Sequence, residues 1–270
     1  MLFHTERLRL VSENNNMNRS GYCILGFPFD STETNIPGQR LGPSSIREKF
    51  LALESGDLTT KIFDAGDIVP SPGNAQASIK KITETLDDIF TQNQKIIPAV
   101  LGGEHTATLG AVESLKKKYP DIQVICLDAH YDLKDNFLGE KLTHSTVMRR
   151  IFDSGTEITI IGARAGSKDE LKFSEKINTD ISRISFKKPI YLSLDIDFFD
   201  PSVAPGVGDP ETGGFFYENF NSLINKITDK GNIVALDIVE VNPLIENNIT
   251  PNLAAKCLIN ILNQIKNNQK

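Results

Sequence analysis

Short apolar runs alternate with amphipathic stretches along the chain. The runs are nearly continuous in Ile, Val and Leu, which is typical of strands buried on both faces rather than strands with one solvated face. Seven runs are predicted to be strands: Tyr22–Gly26, Lys61–Asp64, Lys95–Leu101, Ile122–Leu127, Glu157–Ile161, Pro189–Leu194 and Asn232–Ile238.

Helical patterns lie between these runs. Apolar residues at helical spacing between positions 79 and 90 predict a helix that starts near Gln76, and Leu109–Lys118 predicts another that ends in lysines. Thr250 and Pro251 are predicted to be the N-cap and first residue of the last helix. Because strands that alternate with helices form βαβ units, we expect one α/β domain over residues 1–270. Its mostly parallel sheet would be covered on both faces, with a short, loose N-terminal arm at residues 1–20.

Composition narrows the possible functions. The chain has 29 basic and 35 acidic residues and a formal charge of −6, which argues against a nucleic-acid surface and is compatible with a small cationic substrate. Cys23, Cys126 and Cys257 lie far apart without a CxxC pair, which predicts buried free thiols in a reducing compartment. The sequence shows neither a secretory signal nor an apolar run of about 18 residues, so we expect a soluble, cytoplasmic protein without a membrane partner.

Polar residues interrupt the pattern in one consistent place, the carboxyl end of a predicted strand. Ligands of open parallel sheets bind beyond this edge, so we expect these polar residues to share one crevice. Four such segments are Gly102-Gly103-Glu104-His105, Asp128-Ala129-His130-Tyr131-Asp132, Asp195-Ile196-Asp197 and Glu240-Val241-Asn242-Pro243.

Spacing within these segments predicts a metal site. Residues i, i+2 and i+4 of an extended chain point to one side, so the acidic residues and histidine of the second segment should face together, as should the two aspartates of the third. With the histidine of the first segment they give four carboxylates and two imidazoles, which would repel one another unless cations lie between them. The predicted ligands are His105, Asp128, His130, Asp132, Asp195 and Asp197. Two divalent ions would balance the carboxylates, and this oxygen-rich set favours Mn²⁺ over Zn²⁺ while leaving Ni²⁺, Co²⁺ and Fe²⁺ open.

Each segment alone also has a structural interpretation. A DxHxD segment can be a polar loop network, a DxD segment is often a turn, and GGxH is a weak signal. The histidines favour the metal site, because two of the four in the chain, His105 and His130, lie in these segments, and a third, His144, lies in the stretch that follows the second segment.

At these residues the sequence resembles the ureohydrolase superfamily of arginases, agmatinases and guanidinobutyrases, and most closely archaeal-type agmatinases. The resemblance runs in family order from about residue 22 to 243. It implies a three-layer α/β/α fold, a binuclear manganese site and a homo-oligomer, either a trimer or a hexamer. Further matching segments are Pro37-Gly38-Gln39-Arg40-Leu41-Gly42-Pro43, Asp64-Ala65-Gly66-Asp67, Ile161-Gly162-Ala163-Arg164 and Ala204-Pro205-Gly206.

The resemblance also implies residue roles. One metal ion would be held by His105 and Asp132 and the other by His130 and Asp197, with Asp128 and Asp195 bridging them. Glu240 corresponds to the carboxylate that grips the substrate guanidinium. Glu104 departs from the family pattern, in which many members have Asp, and this puts the hydrogen bonding around His105 in question.

Cleavage of a guanidino group needs a nucleophile and a proton for the departing amine. Two metal ions would lower the pKa of bound water from about 15.7 towards neutrality. His144, whose type has an unperturbed pKa of about 6.5, is predicted to carry the proton. Its alternative role is that of an exposed loop histidine or a residue at a helix N-terminus. Asp200 is predicted to have a structural role in the turn before Pro201.

The substrate is the least determined part of the prediction. Residues 132–137 lack the pattern of Asn and Ser groups with which arginases bind the α-carboxylate and α-amino group, so the resemblance favours agmatine, which would be hydrolysed to putrescine and urea. Aminopropylagmatine, arginine, a guanidino acid and an amidine are the alternatives. Lys134 would disfavour a cationic tail unless Asp135 or Glu140 offsets its charge. A metal-stabilised scaffold is the non-enzymatic alternative, which the complete ligand set disfavours.

Overall fold

A central sheet organises the protein. The computed structural model describes residues 4–6, 16–53 and 56–268. Within these ranges eight strands form one sheet in the order β1-β3-β2-β4-β8-β7-β5-β6. All neighbouring strands run parallel except β1, which pairs antiparallel with β3. The strands are β1 (Thr5–Glu6), β2 (Tyr22–Phe27), β3 (Ile62–Ile68), β4 (Ile97–Gly102), β5 (Gln123–Leu127), β6 (Glu157–Ile161), β7 (Pro189–Asp195) and β8 (Asn232–Val239).

The predicted α/β class and the seven predicted strands are confirmed. The pattern did not predict β1, a two-residue strand whose Thr5 and Glu6 pair with Ile68 and Asp67. Of the predicted arm at 1–20, residues 4–6 and 16–20 are described, and Met17 is buried against the core. The rest of the arm lies outside the described residues.

Helices cover both faces of the sheet. The chain described by the structure contains α1 (Gly42–Ala52), α2 (Ala75–Gln92), α3 (Ala107–Lys118), α4 (Val147–Asp153), α5 (Lys168–Ser174), α6 (Tyr217–Lys230) and α7 (Ile249–Asn268). Helices α1, α6 and α7 contribute to one buried apolar cluster, and α2, α3 and α4 contribute to a second. Both clusters include residues of the central strands, so the expected three-layer arrangement is confirmed. No helix in the described ranges combines the length and apolar character needed to cross a bilayer.

Two predicted helices begin or end close to where the pattern placed them. Asn74 caps α2, since its side chain accepts a hydrogen bond from the backbone N–H of Ala77 at 2.9 Å. Helix α3 ends at Lys118, as predicted, and its three C-terminal lysines complement the negative end of the helix dipole.

The predicted N-cap of the last helix was wrong. Helix α7 begins at Ile249, and the carboxylate of Glu246 accepts hydrogen bonds from the backbone N–H groups of Asn248, Ile249 and Thr250 at 3.0, 2.7 and 2.6 Å. The hydroxyl of Thr250 instead accepts a hydrogen bond from the backbone N–H of Gly206 at 2.8 Å. Local chemistry would place the Thr250 side chain at a helix N-cap, but a long-range contact with Gly206 uses it instead.

A buried ion network fixes α1 to the sheet. Nε and Nη2 of Arg47 in α1 donate to the two carboxylate oxygens of Asp64 at 3.0 Å each, and Nη1 donates to Asp67 at 2.5 Å. Both aspartates belong to β3, and this explains how a strand with two acidic residues can be fully buried. Gly26 in β2 makes room for the network, because a Cβ there would collide with the Asp67 carboxylate.

Arg47→Met should lower the free energy of unfolding by about 3–5 kcal/mol, because it leaves two buried carboxylates without their cation. Arg40→Met is the matched control: the Arg40 side chain is 52% exposed and pairs with Asp30, so its loss should cost less than about 1 kcal/mol. Guanidinium chloride denaturation measures both variants. Equal losses would show that the buried network does not anchor α1.

Candidate metal centre

The six predicted ligands meet at one edge of the sheet. They follow β4, β5 and β7, and Glu240 follows β8. These strands are consecutive neighbours in the order β4-β8-β7-β5, so their carboxyl ends open onto one crevice. The expectation of a shared crevice is thus fulfilled by the topology.

The local geometry differs from the extended segments that the spacing predicted. Strand β5 ends at Leu127, after which the backbone N–H of His130 donates to Asp128 Oδ1 at 2.6 Å. Strand β7 ends at Asp195, whose Oδ1 accepts from the backbone N–H of Asp197 at 3.0 Å. The side chains therefore converge through tight turns closed by the carboxylates, rather than through the alternation of a pleated strand.

Asp132 and Glu240 have left-handed backbone conformations, with φ of 51° and 66°. Such values are uncommon for residues other than glycine, and strain of this kind concentrates at functional sites. The left-handed turns aim both carboxylates back over the sheet edge.

His105 is the centre of the first group of ligands. Its Nδ1 lies 3.0 Å from Asp132 Oδ2, and 3.3 Å from Oδ2 of both Asp128 and Asp195. The side chain is buried, and Nδ1 has no hydrogen-bond partner among the described residues.

The second group surrounds His130. Its Nδ1 lies 2.8 Å from Asp197 Oδ2 and 3.7 Å from Asp128 Oδ1. Asp128 therefore presents one oxygen to each histidine, which is the geometry of a carboxylate shared between two neighbouring sites. Asp197 is itself oriented by the backbone N–H of Ala129, which donates to its Oδ1 at 3.0 Å.

The residues around His105 fit a metal ion. Its Nε2 lies 3.1 Å from the hydroxyl of Ser193, and that hydroxyl donates to the buried carboxylate of Asp237 at 2.7 Å. When Nε2 carries the proton of a neutral imidazole, Nδ1 presents a lone pair to three carboxylate oxygens. Such an arrangement repels itself unless a cation lies between its members. The orphaned nitrogen is therefore explained by a divalent ion.

Cys126 lies behind the site. Its Sγ is 3.8 Å from His105 Nε2 and 3.8 Å from Asp128 Oδ2. It approaches the nitrogen that faces Ser193, not the nitrogen that faces the carboxylates, so we do not include it among the candidate ligands. Cys23, Cys126 and Cys257 are buried free thiols, as predicted.

The charges of the cluster shift the pKa values of its members. Burial, together with the charges of Asp197 and Asp132, raises the pKa of Asp128 to about 7. Burial would lower the pKa of His130, but the charge and hydrogen bond of Asp197, with the charges of Asp128 and Asp132, together outweigh it and raise that pKa to about 11. Without metal ions, bound protons would therefore balance part of the negative charge of the cluster.

A cavity of about 280 Å³ opens over the ligands. It is lined by acidic, basic and small residues: Glu33, His130, Asp132, Lys134, His144, Ser145, Ala165, Gly166, Ser167, Glu170, Asp195, Asp197, Val207, Gly208, Asp209 and Glu240. The cavity therefore brings His144 and Glu240 together with four of the six candidate ligands.

Glu240 is fixed at the inner end of this cavity. Its Oε1 accepts from the backbone N–H of His105 at 2.6 Å, and its own backbone N–H donates to the carbonyl of Gly103 at 2.8 Å. Burial, followed by the charges of Glu33 and Asp195, raises the pKa of Glu240 well above its usual range.

His144 is largely buried, with 12% of its side chain exposed, so the exposed-loop alternative does not describe it. It begins a short 3₁₀ turn ahead of α4, and its ring meets Phe137 edge to face with centroids 5.9 Å apart. Its backbone N–H donates to the hydroxyl of Thr32 at 3.1 Å. Burial is the largest influence on its titration and lowers the pKa of His144.

Glu104 points away from His105, which answers the question raised by its departure from the family pattern. Its carboxylate accepts from the backbone N–H and hydroxyl of Thr32 at 2.8 and 2.7 Å, and from the hydroxyl of Thr106 at 2.7 Å. Gly103 permits this arrangement because a Cβ there would collide with the backbone of Phe29. Glu104 thus anchors the loop after β2 beside the cavity.

Lys134 lines the cavity with its ammonium 4.3 Å from the ring centroid of Phe137. Asp135 does not offset its charge as suggested, because it pairs with Arg150 at 2.9 Å. Asp200 accepts hydrogen bonds from Ser202 and from the N–H groups of Gly213 and Gly214, which agrees with its predicted structural role.

Sequence reasoning missed Glu33. Glu33 lies in the loop that follows β2, a strand that neighbours β4 in the sheet. Its side chain is 5% exposed. The rule that polar residues at strand ends meet in one crevice applies equally to β2 and could have found it.

Known proteins resemble this chain in sequence and in fold. A family model described as the arginase family matches residues 20–263. The chain is 35% identical to the N(1)-aminopropylagmatine ureohydrolase of Thermococcus kodakarensis, over 89% of each chain. It is 33% identical to the agmatinase of Pyrococcus horikoshii, over 89% of this chain and 90% of the relative. The crystal structure of a putative agmatinase from Clostridium difficile superposes with a TM-score of 0.86 at 33% identity, over 94% of this chain and all of that chain.

Asp128→Asn should weaken metal binding at both groups, because the two oxygens of Asp128 face His105 and His130. Substitution of a residue that only hydrogen-bonds to a metal ligand weakens metal binding roughly 10- to 100-fold. We expect a larger loss here, because Asp128 is itself a candidate ligand. Plasma mass spectrometry after dialysis measures bound metal, with Asp200→Asn as the matched control. Full metal content in Asp128→Asn would remove that residue from the ligand set.

Metal binding should release protons and weaken as the pH falls below about 7, since Asp128 holds a proton there and must lose it to become a ligand. Calorimetric titration with MnCl₂ at pH 6, 7 and 8, in buffers of different ionisation enthalpy, measures affinity and proton release together. Binding that is independent of pH and releases no proton would contradict the assignment.

Proposed function

The chain belongs to the arginase family, and from this premise we propose that it hydrolyses the guanidino group of agmatine to putrescine and urea. Relatives named agmatinase share about a third of its residues over most of its length. The observation that carries the proposal is the cavity in which Glu240 and His144 face the candidate ligands.

The six residues His105, Asp128, His130, Asp132, Asp195 and Asp197 are proposed to hold two divalent ions. Such ions, with Mn²⁺ the first candidate and Ni²⁺, Co²⁺ or Fe²⁺ the others, would supply a nucleophile from water at neutral pH. The shared orientation of Asp128 towards both histidines supports a binuclear site.

Glu240 is proposed to bind and orient the guanidinium. Its carboxylate is buried at the inner end of the cavity, where a charge-assisted hydrogen bond is strong. The backbone N–H of His105 occupies Oε1 and so fixes the orientation of the carboxylate. The planar cation is thereby held over the site from which the nucleophile is delivered.

His144 is proposed to move the proton that the departing amine requires. Burial lowers its pKa, so the imidazole is neutral at pH 7 and able to accept a proton before donating it. Thr32 and Phe137 restrict its position.

Parallel assays of urea release from agmatine, aminopropylagmatine, arginine and guanidinobutyrate test the substrate. We expect manganese-loaded protein to turn over agmatine fastest, and a chelator to abolish the activity. Arginine as the best substrate would mean that the loop at 132–137 was misinterpreted. Urea from none of them, with two metals bound, would favour an amidine hydrolase or a metal-stabilised scaffold.

A guanidino acid is the second candidate substrate, and Lys134 is the observation that favours it. An ammonium group in the cavity would attract a carboxylate at the far end of the substrate. A higher kcat/KM for guanidinobutyrate than for agmatine would establish this alternative.

His144→Ala should retain both metal ions and lower kcat for urea release by roughly 10²- to 10⁴-fold, the usual contribution of a positioned proton-transfer group. His4→Ala is the matched control, because His4 contacts Glu84 far along the chain and does not line the cavity. Steady-state assays together with metal analysis measure both. Full turnover in His144→Ala would exclude it from the mechanism.

A further inference from the structure

Glu33 is a buried acidic residue with one carboxylate oxygen that no hydrogen bond from the described residues satisfies. Its side chain is 5% exposed and lines the cavity above the candidate ligands. Its Oε1 is buried without a hydrogen-bond partner among the described residues. A buried carboxylate in this situation costs folding free energy, so its presence calls for a compensating interaction.

The surroundings of Glu33 are predominantly acidic. It lies within hydrogen-bond reach of the Glu240 side chain, and Glu104, Asp209 and Asp132 add further negative charge. Burial, followed by the charge of Glu104, raises the pKa of Glu33 to about 8, with smaller contributions from Asp209 and Asp132, while a hydrogen bond to Glu240 opposes the rise. His144 is the nearest potential cation, with Nδ1 3.6 Å from Oε1, but burial lowers the pKa of that imidazole and so disfavours its charged form.

Glu33 is not needed to hold its own loop. Thr32 is already fixed by two hydrogen bonds to Glu104. On the other side, Asp30 accepts from the backbone N–H of Gly38 at 2.9 Å and from the guanidinium of Arg40 at 3.0 Å. The loop thus places the Glu33 carboxylate in the cavity without using it as an anchor.

We propose that Glu33 and Glu240 together bind the substrate guanidinium, each carboxylate accepting from different N–H groups of the planar cation. Two adjacent buried carboxylates cannot both ionise unless a cation binds beside them. A guanidinium carries five N–H donors in one plane and keeps its charge at all physiological pH values, so it can satisfy both carboxylates at once. This inference rests on the proposed function and extends it: the site selects a charged guanidinium over a neutral ureido group of the same shape.

Glu33→Gln tests the proposal, with Glu175→Gln as the matched control. Glu175 is exposed beyond the end of α5 and does not line this cavity, so its variant removes a carboxylate without touching the substrate. For agmatine we expect Glu33→Gln to raise KM roughly 10- to 100-fold, the effect of losing a hydrogen bond between charged groups, with a smaller change in kcat. Glu175→Gln should leave both constants unchanged.

NMR titrations of the manganese-loaded proteins with methylguanidinium and with neutral methylurea isolate the effect of charge. The wild type should prefer methylguanidinium, and Glu33→Gln should lose roughly tenfold or more of that preference. Preference and KM both equal to wild type in Glu33→Gln would overturn the proposal.

Thermal unfolding separates a binding role from a structural one. Because Gln keeps the shape of the side chain and removes a buried ionisable group that does not anchor its loop, Glu33→Gln should melt at or above the wild-type temperature. A lower melting temperature would indicate a structural role and overturn the proposal. Glu33→Asp, which keeps the charge, should then be measured in the same way and should retain more of the cation preference than Gln.

The two proposals can fail separately. If the wild type releases no urea from agmatine but shows a cation preference that depends on Glu33, the agmatine proposal fails and the role of Glu33 stands. If agmatine is hydrolysed equally well by Glu33→Gln, the reverse holds.

Discussion

Electrostatic repulsion within the acidic cluster is the constraint on which the rest of this structure depends. Four carboxylates and two imidazoles converge at one sheet edge, where His105 lies 3.0–3.3 Å from three of the aspartates and His130 lies 2.8 Å from the fourth. Divalent cations are the simplest way to balance them, and the lone-pair nitrogen of His105 marks where one would bind.

The protein limits this repulsion by using the carboxylates as acceptors for its own backbone. N–H groups of Ala129, His130 and Asp197 donate to aspartates of the cluster, and that of His105 donates to Glu240. Each such bond stabilises an ionised carboxylate and fixes its direction. The turns at the strand ends therefore orient the carboxylates and also stabilise their negative charge.

Periodicity was sufficient to predict the central strands, because a strand buried on both faces must be apolar throughout. It could not predict β1, whose two residues gain their conformation from pairing with β3. The N-cap at Thr250 was wrong because the Glu246 carboxylate accepts from the N–H groups of the first turn, while the N–H of Gly206, 44 residues away, uses the Thr250 hydroxyl. The ligands were expected to face together and do so, although turns rather than pleats bring them there. Glu33 was missed because its burial follows from the anchoring of Thr32 by Glu104, a contact between residues 72 positions apart.

The position of β8 also bears on how the protein is made. This strand lies between β4 and β7 in the sheet, yet it is the last strand to leave the ribosome. Until residues 232–239 have emerged, no strand lies between β4 and β7 to pair with both. The histidine that follows β4 is then not in register with the aspartates at the end of β7. During N-to-C synthesis the early part of the sheet can form first. Metal ions could therefore occupy the complete site only after residues 232–239 have been translated, and a nascent fragment that lacks β8 would not bring the acidic segments together.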